Sequence, residues 1–218
     1  MLHTSDALIL RTYTLGDSDR IVVFLTDDRG KKRGVAKNAR QSRRRFGGAL
    51  EPMTCGRVTY RERERRDLVF LQDVALTRSP LETRDGDALG YVGYFAELID
   101  EWAQENDPSE TLFRLGKSVV DAMAMGTPIE PLARYFEFWL LKLQGVYQPA
   151  PDASAEALAF LATARVCSPF GLVNVPVSAR TLTELEQTHR TLIAMHLEKD
   201  LKSPRVLREM RHASSSER

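Results

Sequence analysis

The chain has 218 residues, with 31 Lys and Arg against 30 Asp and Glu and a formal net charge of +1, and 43% of it is hydrophobic and 28% charged. That composition is globular and excludes a disordered or fibrous chain. No apolar run approaches the roughly 20 residues of a membrane-spanning helix, and the start Met1-Leu-His-Thr-Ser-Asp6 lacks the pattern of a signal peptide. Two cysteines, Cys55 and Cys167, allow one disulfide but neither a disulfide scaffold nor a four-cysteine zinc site. The expectation is a soluble cytoplasmic protein of one large or two small domains.

The near-zero total hides an asymmetry. Residues 1–80 carry 17 basic and 10 acidic side chains, whereas residues 81–218 carry 14 and 20. Arg29 to Arg66 alone holds 14 basic and 3 acidic residues. Such a division suggests that the first part meets a polyanion, although a basic cluster can also be plain solvated surface.

The first part reads as strands. Asp6–Tyr13 is rich in apolar and β-branched residues and stops at the turn cluster Gly16-Asp-Ser-Asp19, after which Arg20–Thr26 ends at Asp27-Asp-Arg-Gly30. Gly34–Lys37 is a weaker third strand, and Leu50–Arg61 and Asp67–Leu76 are a fourth and fifth around the charged turn Arg61–Arg66. Five short strands protect their edges by closing into a small barrel. An OB-type barrel is the five-stranded form, and an SH3-like barrel gives much the same pattern.

From Asp87 the apolar period becomes helical. Leu89, Val92, Tyr94, Phe95, Leu98, Ile99 and Trp102 mark one helix, Pro108 to Met125 a second, and Leu132, Tyr135, Phe136, Trp139, Leu143 and Tyr147 a third. Gln148–Pro176 looks helical only over Ala153–Ala164. A further helix is expected over Ser178–Leu197, a short one around Arg205–Met210, and a frayed tail from Ala213. The predicted architecture is α+β: residues 1–80 form the barrel domain and residues 81–218 an all-α domain.

Enzyme motifs are missing. There is no phosphate-binding Gly-rich loop ending in Lys-Ser/Thr, no Gly-x-Ser-x-Gly and no His-Glu-x-x-His. His189 and His196 lie seven apart without further ligands nearby. Asp17 and Asp19 read more simply as turn formers than as half of a two-metal site. A barrel carrying this charge is better suited to binding nucleic acid, where Lys and Arg release condensed counterions and aromatic rings stack unpaired bases. The aromatic residues near the basic segment are Tyr13, Phe46, Tyr60 and Phe70. Burial preference assigns Phe70 to the core, whereas Phe46, in a loop, suits stacking or local packing equally.

Three blocks carry a resemblance: Gly16-Asp-Ser-Asp-Arg-Ile-Val-Val-Phe-Leu-Thr26, Gly34-Val-Ala-Lys-Asn-Ala-Arg40 and Ser42-Arg-Arg-Arg-Phe-Gly-Gly-Ala-Leu-Glu-Pro52. They resemble the N-terminal signature of the RecO family of bacterial DNA repair and recombination mediators, and the resemblance continues at Tyr135–Gly145 and His196–Arg208. It implies an N-terminal OB-fold, a helical C-terminal domain and no catalysis. It also implies binding of single- and double-stranded DNA, annealing of complementary strands, and action with RecR to load RecA onto DNA coated by single-strand-binding protein, in a cytoplasmic, nucleoid-associated setting.

Many members of that family hold zinc with four cysteines in the helical domain; here residues 148–176 contain Cys167 alone, so no cofactor is expected. Lys37, Arg40, Arg43, Arg44 and Arg45 form the densest basic run and are expected to contact phosphates, with Phe46 beside them. The acidic helical domain is expected to meet a protein, which the resemblance implies is the acidic, hydrophobic C-terminal tail of single-strand-binding protein. Arg134 is the candidate cation for its carboxylate, with Lys142 two turns on, unless Arg134 pairs with Glu130 or Glu137. An RNA-binding or transcription-associated module and an adaptor for an acidic protein are the rival readings.

Overall fold

A computed structural model describes residues 1–42, 44–63, 67–83, 85–197, 201 and 203. Residues 64–66 of the expected charged turn, the expected short last helix around Arg205–Met210 and the expected tail lie outside the described residues, as do Arg43 and His212.

Five strands, β1 (Leu2–Leu15), β2 (Asp19–Thr26), β3 (Gly30–Ala36), β4 (Cys55–Arg61) and β5 (Val69–Arg78), close into a barrel in the order β1-β2-β3-β5-β4. The β3–β5 pair is parallel and every other pair is antiparallel. This order distinguishes the OB-type barrel from the SH3-like alternative. β1 serves two partners: its first half pairs with β4 and its second half with β2. It can do so because a bulge between Ile9 and Arg11 bends it. Alternation along the strands fills the interior with Ala7, Ile9, Val22, Phe24, Ala36, Val58, Tyr60 and Leu71.

β3 is longer than its sequence suggests, because Lys31, Lys32 and Arg33 hide the alternation of a strand. It pairs with β5 only over Gly34–Ala36, which leaves its first residues with an open edge. Residues 104–106 cover that edge: Lys31 N–H donates to Gln104 O at 3.2 Å and Asn106 N–H to Lys31 O at 3.1 Å. Gly30, at φ +71°, opens β3 where an added Cβ would collide with the Asp107 backbone, so glycine is required there.

Helices α1 (Gly86–Trp102), α2 (Glu110–Ala124), α3 (Ile129–Leu143), α4 (Ala155–Ala164) and α5 (Ala179–Leu197) follow. By contact density the chain forms two compact units, one of Met1–Glu82 with Val92–Val120, the other of Thr83–Tyr91 with the described residues from Asp121 on. This division falls within α1 and α2 and differs from the change of secondary structure near residue 80.

In the first unit, α1 is tied to the barrel by charge. Asp100 accepts Arg11 Nε at 2.7 Å and Lys31 Nζ at 3.0 Å. Gly116 of α2 approaches Leu8 and Ile99 closely enough that a Cβ would meet them at 2.6 and 2.8 Å. In the second unit, α3 is buried around nearly its whole circumference. Its Trp139 Nε1 donates to Ala164 O at the end of α4, 3.0 Å away. Ser154 caps α4 by accepting the Ala157 N–H at 3.2 Å.

Candidate nucleic-acid interface

The basic segment divides into two groups with different uses. Lys31 is committed to Asp100, and Lys32 Nζ donates to Glu62 at 2.6 Å and to Asn106 at 2.8 Å. Those charges hold the first unit together. Lys37, Arg40 and Arg44, on the segment joining β3 to β4, are exposed instead.

That segment is shaped by its own side chains and by the β1–β2 turn. Asn38, at φ 53°, donates its N–H to Asp19 Oδ1 at 2.8 Å. Arg40 donates its backbone N–H to Ser18 O at 3.1 Å and its guanidinium to Asp17 O at 3.2 Å. Asp17, Ser18 and Asp19 therefore act as a turn that supports the loop, the simpler of the two readings made from sequence.

Arg45 is half-buried and braces the loop. Its Nε donates to Ser42 Oγ and its Nη2 to Lys37 O, both at 2.8 Å, and its guanidinium carbon sits 5.0 Å from the Phe46 ring centre. Phe46 itself is 1% exposed and belongs to the barrel core with Ala49 and Leu50. The expectation that Phe46 could stack bases is thereby corrected: an aromatic between Arg45 and Gly47 in a polar run packs into the barrel core, where burial stabilises it. Arg43 lies outside the described residues.

Charge is polarised along β2. The basic loop adjoins the start of β2, whereas the far end carries Asp27 and Asp28 with Asp6 nearby. Burial pushes the Asp27 carboxyl above its usual range, and the negative charges of Asp28 and Asp6 push it the same way. At that far end Asp28 pairs with Arg29 at 3.3 Å and Asp6 with Arg57 at 3.1 Å, so the excess of positive charge that attracts a phosphate backbone lies at the first end.

The residues expected to receive a protein partner are separated by the fold. Arg134 is 2% exposed, with Nη2 3.0 Å from Glu137 Oε1 and Nη1 3.3 Å from Glu186 Oε2 of α5. The expectation of an accessible rim cation is corrected: this guanidinium pairs with the buried Glu137 and the half-buried Glu186. It does pair with Glu137, but in the interior and not on a helix surface.

Lys142 is placed differently. It sits 5.7 and 5.3 Å from the ring centres of Phe138 and Trp139, beside a cavity of about 430 Å³ lined also by Tyr147, Leu158, Leu161 and Arg165. Phe138 and Tyr147 meet edge to face at 4.8 Å. Burial pushes the Tyr147 hydroxyl up and Arg165 pulls it back. Sequence reasoning missed Arg165, since it follows α4 far from Lys142 along the chain. A lone cation directly after an Ala-rich apolar helix is the signal that could have found it.

Among the described residues no three His, Cys, Asp or Glu side chains cluster as metal ligands. No helix among them is long and apolar enough to cross a membrane.

Comparison with known proteins places both parts of the chain in one family. The family model described as "Recombination protein O N terminal" matches residues 1–80, and that described as "Recombination protein O C terminal" matches residues 83–150. A DNA repair protein RecO from Koribacter versatilis is 40% identical over 146 residues, 66% of this chain and 59% of that protein. One from Anaeromyxobacter sp. (strain K) is 40% identical over 149 residues, covering 68% and 58%. One from Anaeromyxobacter dehalogenans (strain 2CP-C) is 34% identical over 220 residues, covering 94% and 86%. The match thus spans less than two thirds of the length of the first two relatives.

Proposed function

The chain belongs to the RecO family, and from that premise we propose that it is a non-enzymatic, DNA-binding recombination mediator of DNA repair. In this reading it binds single- and double-stranded DNA, anneals complementary strands, and acts with RecR to load RecA onto DNA coated by single-strand-binding protein.

The observation that carries the reading is the exposure of Lys37, Arg40 and Arg44 on a loop braced by Arg45 and the Asp17–Asp19 turn, at the end of β2 away from Asp27 and Asp28. Two strands anneal only when their phosphates are brought together against mutual repulsion. A surface that neutralises both backbones without reading bases lowers that barrier for any sequence.

The partner site is assigned to the cavity beside Lys142. An acidic tail ending in an aromatic residue and a free carboxylate needs an apolar recess and a cation at its rim. Phe138, Tyr147, Leu158 and Leu161 supply the first, and Lys142 with Arg165 the second.

The test is an annealing assay with complementary oligonucleotides, run as a salt titration with and without RecR and tail-bearing single-strand-binding protein. Accelerated annealing, weakened by salt, is expected. DNA binding without annealing, or a preference for RNA, would overturn the reading in favour of an RNA-associated module.

A further inference from the structure

Strand register lines up a row of side chains on the outside of the barrel. Tyr13 pairs with Ile21, Ile21 with Val35 and Val35 with Phe70, and Arg61 stands opposite Phe70 on β4. Alternation settles which way the row faces. Val22, Ala36 and Leu71, the next residues along β2, β3 and β5, are 0% exposed within the core, so the row points outward. Tyr13 is 45% exposed, Ile21, Val35 and Phe70 are half-buried, and Arg61 is exposed. Phe70 is therefore not the core residue its apolar neighbours suggest.

Two exposed cations lie beside the row. Arg33 is two residues before Val35 on β3, on the same face, and Lys37 follows in the loop directly after β3 ends at Ala36. The arrangement is aromatic, aliphatic, aliphatic, aromatic, with positive charge beside it. Tyr13 and Phe70 are three inter-strand steps apart, about 14 Å at roughly 4.8 Å per step. That exceeds the 3.4 Å rise per stacked nucleotide, so the two rings would meet different bases of one strand.

We propose that this row is a platform for unpaired bases of single-stranded DNA, with Tyr13 and Phe70 as the stacking rings and Arg33 and Lys37 on the flanking phosphates. The proposal rests on the DNA-binding reading above and adds to it the feature that separates single strands from duplex. A paired base has both faces covered by its neighbours, whereas an unpaired base offers a face to any aromatic ring, whatever its identity. A base held by its face keeps its pairing edge free for a second strand, as annealing requires.

The test uses the full chain and measures binding of labelled oligo-dT and of a duplex of equal length across a salt series. Tyr13→Ala and Phe70→Ala should each weaken oligo-dT binding about five- to a hundredfold, leaving duplex affinity and the salt slope as in the wild type. Tyr13→Phe, which keeps the ring, should bind oligo-dT as the wild type does. Because the Phe70 ring is partly packed, thermal midpoints are compared first, and the exposed Tyr13→Ala variant decides alone if Phe70→Ala fails to fold. Wild-type oligo-dT affinity in Tyr13→Ala, or an equal loss for duplex, overturns the proposal. Arg44→Glu distinguishes the two readings, because its loss of binding to both DNAs would keep the DNA-binding function standing without the platform. A wild-type chain that binds neither DNA overturns both.

Discussion

Glu137 Oε2 of α3 lies 3.0 Å from His189 Nδ1 of α5, and the other oxygen of the same carboxylate lies 3.0 Å from Arg134 Nη2. One side chain thus joins two helices through a cation and a ring that are both withdrawn from solvent. Removing one partner of a buried pair costs about 3–5 kcal/mol, and because Glu186 still lies 3.3 Å from Arg134 the loss here is expected at the low end of that range. Glu137→Leu is therefore expected to lower unfolding free energy by about that amount in urea titration. Stability equal to the wild type would show that the network does not hold α3 to α5. For the same reason Arg134→Glu would unfold these helices, and loss of partner binding in it would say nothing about a docking site.

Glu130 gives the second unit a pH dependence of known sign. Tyr91 Oη donates to its Oε1 at 2.9 Å. Burial pushes its carboxyl up from 4.5 to about 7; Arg134 opposes that shift, while Glu186, Glu137 and Asp87 add to it. The folded state therefore holds this proton where the unfolded chain has released it, so this group's contribution to stability falls as pH rises from about 4.5 through about 7. Glu130→Gln keeps an acceptor for Tyr91 and removes the titration. Its unfolding free energy, measured against wild type at pH 5 and pH 8, should gain at pH 8 relative to pH 5. Parallel pH profiles would contradict the assignment.

Local pattern was enough for the barrel and failed where burial depends on distant chain. The β-branched runs of β1 and β2 and the period of α1 and α3 were legible because each carries its own alternation. Phe46 misled because its neighbours are Arg45 and Gly47, and nothing in that stretch shows that its ring joins the barrel core. Phe70 misled in the opposite sense: between Val69 and Leu71 it reads as core, yet alternation puts it outside. Arg134 could be paired with Glu137 by helical spacing, but Glu186 and His189 come from a helix some 50 residues on. The basic run showed total charge and could not show that Lys31 and Lys32 are consumed by Asp100 and Glu62.

Arg44 and Arg45 are adjacent yet should behave differently. Arg44 is exposed, so Arg44→Ala is expected to weaken binding to all DNA sequences and reduce the salt slope by about one unit, with an unchanged thermal midpoint. Arg45 holds Ser42 and the Lys37 carbonyl, and Arg45→Ala should lose about 1–3 kcal/mol of stability through those bonds. Calorimetry beside the salt titration separates the two, and identical behaviour of both variants would show that Arg45 is no brace.

Cys167 is the only thiol between residues 148 and 176, and burial pushes it away from ionisation. A metal ligand must be a thiolate, and a structural zinc needs four donors. Purified protein is expected to contain no stoichiometric zinc, and a chelator should leave its thermal midpoint in place. Element analysis finding about one zinc per chain would show that other residues form a site.

Lys142 and Arg165 stand beside an apolar recess on the second unit, so their charges should matter to an anionic peptide and little to folding. Lys142→Glu with Arg165→Glu places two carboxylates where a tail's own carboxylate would dock, which converts attraction to repulsion. Binding of a fluorescent peptide carrying the tail of single-strand-binding protein should fall by at least about tenfold, the effect of about 1.4 kcal/mol. Annealing of bare complementary strands should be retained, because the loop of Lys37, Arg40 and Arg44 is untouched. Leu158→Glu tests the apolar half of the same site: Leu158 is 49% exposed at the cavity, so the substitution spares the core while putting charge where an aromatic end group would rest. Unchanged peptide affinity in both variants, with folding intact, would move the docking site elsewhere on the chain.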